Sequence, residues 1–538
     1  MLIVGIKNMG VGKMSFSRPN RSAATGTKNR YGEEVSPFSG MCVVCIDGCP
    51  GLCEIGKSAV RGSEVIYPQP FGAITAASQK DYPIDFSHFN IMGSAVGAYG
   101  IQADSNHAIF PNVNLEVKLG HDKKIKLRYP ILGGGQGSTD VARNNWEGIA
   151  IGAAITGTIV TVGENVVGMD QEAVLSRGII KKAPELERRV RAFKDWQDDG
   201  YGAVVVQANV EDTTLGVLEY AIDKLDVDIV ELKWGQGAKD IGGEVKIRDL
   251  KKAQMLKNRG YVVLPDPEDT DVVNSFQRTF DEFERHSRVG MVTEEGFMKR
   301  VKELRKAGAK YIFLKTGAYR PADLARAIKF SSEARIDVLT VDGAGGGTGM
   351  SPWRMMNEWG IPTVEIESLT YDMASRLKKK GKHVPDIVIA GGLTLEDHVF
   401  KAIALGAPFV KAIGMARANM CAAMVGKTIG NAIKEENIPQ SLAKYGKSVD
   451  EIFITSAQLK RKFGKRFEQL PPSAIGVYTY FARLAQGLRQ LMAGERKFAL
   501  EYITRDDIVA LTREAAEISG IDYVMDADKK EVDKILGK

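Results

Sequence analysis

The sequence predicts an α/β fold: a (β/α)8 TIM barrel with an N-terminal cysteine-cluster extension and a C-terminal helical extension. Three observations lead there. Eight short β-branched runs alternate with longer helical patterns, and the apolar stretch of each run gives way to Gly, Gln, Lys, Asp or Arg. Glycine-rich turns follow the last three runs. Four of the five cysteines fall at Cys42, Cys45, Cys49 and Cys53, well before the first run.

Residues 1–40 are rich in Ser, Arg, Asn and Gly with little periodicity and read as an arm. The opening apolar stretch is too short for a signal-peptide core, and no run approaches the roughly 18 apolar residues that span a bilayer. A reducing cytoplasm is the expected compartment, with no membrane partner. A thiolate cluster this dense in a chain of 538 residues is not a disulfide framework, because a chain of that length buries its own core. Metal ligation fits better. The short gaps favour an iron–sulfur cluster, of 4Fe–4S type, over zinc, which draws its ligands from two separated pairs. A redox-active thiol group is the third alternative.

A polar, turn-rich stretch follows. The eight runs are KLRYPILGGG (126–135), GTIVTVGEN (157–165), GAVVVQAN (202–209), DIVELKWGQG (228–237), KYIFLKTGAY (310–319), DVLTVDGAGGG (337–347), DIVIAGGL (386–393) and PFVKAIGMAR (408–417). Amphipathic helices are expected at 139–154, 214–225, 294–307, 321–330 and 395–405. A closed barrel over 125–437 is the simplest solution, and a doubly wound open sheet is the alternative. Residues 1–64 form the arm and cysteine loop, 65–124 a connecting segment packing on the barrel, and 438–538 a helical extension. That extension is basic in two stretches, QLKRKFGKRF and ARLAQGLRQLMAGERKF, whose charge reads as a solvated or partner-facing surface, with an acidic helix near Asp526. Lysines and arginines (73) nearly match acids (67), so charge gives no reason to expect a nucleic acid partner.

Gly391 and Gly392 end the seventh run, and Gly414 and Arg417 lie at the end of the eighth. In a barrel these loops expose backbone N–H groups at the mouth, where a phosphate approaches closely and Arg417 adds a countercharge. Between Asp342 and Gly349 there are five glycines, among them Gly345, Gly346 and Gly347, a backbone-entropy cost that a simple turn does not require. The segment lacks a Walker arrangement and reads as cofactor lining. Lys315 ends its run at the mouth, placed to offset negative charge on a reduced flavin; a lysine capping a strand in water is the plainer alternative. Lys233, Gln236 and Lys239 surround glycines in a segment suited to a dicarboxylate, or form an ordinary surface loop. Only six histidines occur, without zinc-hydrolase spacing.

The order K-W-G-Q-G-A-K, strand-ending lysine, D-G-A-G-G-G-T-G-M-S-P, I-A-G-G-L and G-M-A-R resembles the FMN-binding synthase domain of glutamate synthase large subunits and their stand-alone relatives, over about residues 65–430. The resemblance implies FMN over the barrel mouth, with Gly135, Gln136, Gly137 and Gln207 near its ring. It also implies Lys315 beside the ring, and Gly391, Gly392, Gly414 and Arg417 at the phosphate. Glu164, Lys233 and Lys239 then face 2-oxoglutarate or 2-iminoglutarate, which the enzyme reduces to L-glutamate with Lys315 and Glu164 as catalytic groups. Implied partners are separate amidotransferase-like and glycine-repeat subunits, and an electron donor such as ferredoxin or an NAD(P)H-oxidising subunit, in an oligomer. The chain departs from the family after the last strand, where only Cys421 stands in place of three cluster-ligating cysteines. The Cys42–Cys53 loop is therefore expected to take over the electron relay. The synthase-like subunit of a methylamine–glutamate N-methyltransferase is a close variant, and a non-catalytic flavin electron-transfer subunit is a further alternative.

Overall fold

The computed structural model describes residues 54–62, 82–235, 237, 244–278, 280, 282–346 and 359–537. The cysteines Cys42, Cys45, Cys49 and Cys53, together with Gln236, Lys239 and Gly347, lie outside the described residues, as does the 1–40 arm.

All eight runs form strands. They are β1 (Ile131–Gly133), β2 (Ile159–Val162), β3 (Ala203–Ala208), β4 (Ile229–Lys233), β5 (Tyr311–Thr316), β6 (Val338–Asp342), β7 (Asp386–Ala390) and β8 (Val410–Met415). Every neighbouring pair is parallel, and β8 closes on β1 through Ile413 opposite Ile131, so the sheet is a barrel and not an open doubly wound sheet. β2, β6 and β7 are buried along their whole length, which is why their sequences are continuous apolar runs without alternation.

A helix follows each strand: α1 (Asp140–Thr156), α2 (Pro184–Lys194), α3 (Val217–Leu225), α4 (Glu294–Lys306), α5 (Pro321–Glu333), α6 (Thr363–Lys379), α7 (Glu396–Leu405) and α8 (Arg417–Lys434). Thr139 caps α1 by accepting from the Ala142 N–H, and Gly157 ends it in the left-handed conformation. The expected helix at 214–225 is instead two, because Gly216 at φ 75° ends Val210–Leu215 and restarts the chain into α3.

The amino ends of the strands are sealed by a hairpin of Val117–Leu119 and Ile125–Leu127. Its turn donates the Gly120 N–H to Asp386 and the His121 N–H to Asp337, and Lys123 Nζ lies 2.6 Å from Asp386. Between β4 and α4 stands an insertion with no counterpart in the sequence reading. It is an antiparallel sheet of Glu244–Ile247, Phe283–His286 and Val262–Leu264 around its own small core of Ile247, Leu256, Tyr261 and Phe283.

The C-terminal extension is not only a surface. Its long helix α9 (Pro472–Gly494) packs on α1 and α8, and a Cβ at Gly152 would lie 2.5 Å from Val477, so the helices approach through glycine. The first basic stretch is exposed at Lys460, Arg461, Lys465 and Arg466, as expected. The second is corrected: Arg483 and Lys497 are buried, paired with Glu396 at 2.7 Å and Asp507 at 3.1 Å. Asp526 sits in a turn, and the final helix is Lys529–Ile535, of mixed charge. The helix Glu54–Arg61, starting directly after Cys53, buries Ile55, Ala59 and Val60 against α8 and α9. Among the described residues no helix is long and apolar enough to cross a membrane.

Candidate active site at the carboxyl ends of the strands

Parallel register brings the charged strand ends to one level. Lys315 on β5 is the register partner of Lys233 on β4, and Glu231 is the partner of Gln207 on β3. Each lysine has its own carboxylate: Lys233 Nζ is 2.7 Å from Glu164, and Lys315 Nζ is 3.0 Å from Asp342. Burial opposes the charge of Glu164, but Lys233, with Lys315 behind it, holds its carboxyl below the usual range. Burial likewise opposes the charge on Lys315, yet Asp342 and Glu231 outweigh it and raise its pKa. For Glu231 burial wins and its pKa is raised despite Lys315.

Gln207 donates Nε2–H to Glu231 at 2.5 Å. Its carbonyl Oε1 is buried with no hydrogen-bond partner among the described residues, and a Cβ at Gly135 would lie 2.8 Å from it. The strand end thus presents an acceptor beside a loop that only glycine admits there. Gln136 ties this loop to the end of β8 by donating from Nε2 to the Ala416 carbonyl at 3.0 Å. Gly137 approaches the turn that carries Glu164.

The glycine loops meet. Ala390, just before Gly391, is the register partner of Gly414, and the Gly343 N–H donates to the Ala390 carbonyl at 2.8 Å. Gly391 and Gly392 both have positive φ, 133° and 87°, which turns the chain sharply at the mouth. Gly345, also at positive φ, and Gly346 continue this floor from Asp342. Arg417 opens α8, whose cap Ala416 offers no side-chain acceptor to the first N–H groups. A helix start with an arginine, beside paired glycines, has the donor set for a phosphate, and the Gln207 oxygen is an acceptor for a ring N–H. The residues present therefore fit a phosphorylated flavin. Gln236, Lys239 and Gly347 fall outside the described residues, so Lys233 is the described member of the expected dicarboxylate group.

Several contributors escaped the sequence reading. Thr363, the first residue of α6, donates Oγ1–H toward the carbonyls of Ala344 (3.1 Å) and Gly391 (2.8 Å), joining the loops after β6 and β7. Arg189, buried on α2, reaches the carbonyls of Gln136 and Gly137 at 2.9 Å and pairs with Glu185 at 2.8 Å; burial lowers its pKa to about 10. Behind Glu164, Asn165 Oδ1 accepts from Tyr261 and Ser287, so the insertion is tied to the turn that carries the glutamate. The E-L-E-R-R spacing of α2 gives Arg189 its partner four residues earlier, but no sequence pattern announces the carbonyls that it holds.

The conserved region in glutamate synthase matches residues 285–426. The archaeal-type glutamate synthase (NADPH) of Dehalococcoides mccartyi is 41% identical over 78 residues, 14% of this chain and 15% of that protein. The archaeal glutamate synthase (NADPH) of Methanocaldococcus jannaschii is 29% identical over 189 residues, 34% of this chain and 32% of that protein. These alignments thus span about a third or less of the relatives' own length. Among solved structures, an oxidised active mutant of (S)-mandelate dehydrogenase aligns with a TM-score of 0.42 at 12% identity, over 79% of this chain and 88% of that one. With β5 to β8 and their loops inside the matched stretch, residues 285–426 are a glutamate-synthase-related domain.

Proposed function

We propose that the chain is a glutamate-synthase-type oxidoreductase that binds FMN and reduces 2-iminoglutarate, formed from 2-oxoglutarate and ammonia, to L-glutamate. The observation that carries this reading is the match over residues 285–426, because Lys315, Asp342, Gly391, Gly392, Gly414 and Arg417 all lie within it. FMN, when bound, supplies the hydride. Arg417 and the start of α8 hold its phosphate, and Lys315 places a cation where negative charge develops on reduction. Lys233, steered by Glu164, binds a substrate carboxylate and fixes the reacting carbon, with Lys239 as the second cation of that group. The net change consumes 2-oxoglutarate, ammonium, two electrons and two protons, and releases glutamate and water.

Electrons enter through an iron–sulfur cluster on Cys42, Cys45, Cys49 and Cys53. The helix that follows Cys53 packs on α8, the helix that Arg417 begins, which supports a short route to the flavin. A ferredoxin or an NAD(P)H-oxidising subunit supplies them, and amidotransferase-like and glycine-repeat subunits supply the nitrogen; the NADPH in the relatives' names supports the nicotinamide source.

The test is single turnover. Protein purified without oxygen and reduced chemically is mixed with 2-oxoglutarate and ammonium while the flavin spectrum is followed. Flavin reoxidation with one glutamate formed per flavin supports the reading. A flavin that stays reduced with both present overturns it. Methylamine in place of ammonium, with N-methylglutamate as product, would assign the nitrogen species differently.

A further inference from the structure

Resting on the flavin reading above, we propose that the C-terminal helix α9 positions the phosphate-binding loops, with Tyr480 as the residue that joins them. Tyr480 is fully buried, and its hydroxyl donates to the Thr394 carbonyl and reaches Met415 Sδ at 3.6 Å. Thr394 lies two residues after Gly392, and Met415 two residues before Arg417. One side chain from outside the barrel therefore contacts both loops that would hold the phosphate.

The same turn of α9 and the start of α7 complete the grip. Arg483 pairs with Glu396, the first residue of α7, at 2.7 Å. His398 Nδ1 accepts from the Thr394 N–H at 2.8 Å and the Leu395 N–H at 3.2 Å, which puts the ring hydrogen on Nε2 and keeps the imidazole neutral. A loop with two consecutive positive-φ glycines has little intrinsic stiffness. Its N–H groups can converge on a phosphate only if its far end is fixed, and Thr394 is fixed on both its N–H and its carbonyl.

Riboflavin shares the ring of FMN and lacks the phosphate, so the two ligands separate a phosphate-loop role from general support. Dissociation constants are measured by quenching of flavin fluorescence on the apoprotein. Tyr480→Phe removes only the hydroxyl, and the expected result is FMN bound ~10-fold more weakly, the usual scale for a buried carbonyl that loses its donor, with riboflavin affinity unchanged. His398→Leu is expected to act likewise, and His398→Asn, which keeps an acceptor at that place, to retain FMN. This pair gives the same comparison if Tyr480→Phe does not fold. Equal weakening of both ligands, or unchanged FMN affinity in Tyr480→Phe and His398→Leu, overturns the proposal. Wild-type protein that binds FMN no tighter than riboflavin overturns the phosphate site itself, and this inference with it.

Discussion

Lys233 and Lys315 stand opposite one another in register on β4 and β5, two largely buried ammonium groups on adjacent strands at the barrel mouth. Two such charges repel unless each is compensated, and each is: Glu164 holds one and Asp342 the other. The two ion pairs divide the mouth into halves. Asp342 opens the glycine loop assigned to the cofactor, whereas Glu164 lies beside the turn that the insertion braces, on the side assigned to the substrate.

The Lys315 half predicts a redox effect. Removing its charge by Lys315→Met leaves Glu231 and Asp342 without their shared cation, beside a ring that gains negative charge on reduction. The flavin midpoint potential is expected to fall by ~30–60 mV, about 1.4–2.8 kcal/mol for a two-electron couple. Potentiometric titration of wild type and variant checks this, and an unchanged potential removes Lys315 from the flavin.

The Lys233 half predicts a binding effect. A charge-assisted bond to a carboxylate is worth about 1.5–3 kcal/mol, so Lys233→Ala is expected to raise the Michaelis constant for 2-oxoglutarate roughly 10–100-fold. Flavin content stays at the wild-type value, since no assigned flavin contact is lost. Lys239→Ala is expected to behave in the same manner. Loss of flavin with unaltered oxoacid affinity in either variant would reverse the assignment of the two halves.

Arg417→Ala should release FMN on dialysis, with little change in melting temperature of the apoprotein, because the side chain sits at a helix start that leaves the barrel core intact. Flavin stoichiometry after dialysis measures it. Retention of a full equivalent would mean that the phosphate lies elsewhere.

The barrel was legible in the sequence because its strands are buried on both faces, so β-branched runs such as DIVIA and VLTVD are unbroken and end at a polar or glycine position. The insertion was not legible. Its strands, EVKI, VVL and FERH, are only three or four residues long, and EVKI and FERH mix charged with apolar residues, so neither period shows. Lysines at strand ends pointed to the candidate site, where the register brings Lys233 and Lys315 together, because an ammonium after an apolar run has few places to go. Thr363, Arg189 and Tyr480 did not, since each acts on backbone carbonyls that only the fold brings near. Arg483 and Lys497 misled a count of charge, because their partners Glu396 and Asp507 come from elsewhere in the folded chain.

The turn that carries Glu164 has a pH signature of its own, from Asp212 on the short helix Val210–Leu215. Asp212 is buried behind the glutamate, accepting the Asn165 N–H at 2.9 Å and the Asn209 N–H at 3.3 Å. Burial raises its pKa to about 7 from 3.8, Glu164 adds to the shift, and the two N–H groups and Arg285 only partly oppose it. Below 3.8 both the folded and the unfolded chain keep the proton, and Asp212 makes no difference between them. As pH rises from there to 7 the unfolded chain ionises while the folded one does not, so stability declines across that window and the deficit persists above it. Asp212→Asn keeps an acceptor oxygen for the two N–H groups and does not titrate. The variant is expected to gain ~1–2 kcal/mol over wild type at about pH 8, a few degrees in melting temperature, with the gain vanishing near pH 4. Melting curves across that range decide the matter: parallel profiles for the two proteins would mean that Asp212 is ionised in the folded state, stabilised by Arg285 in place of a proton.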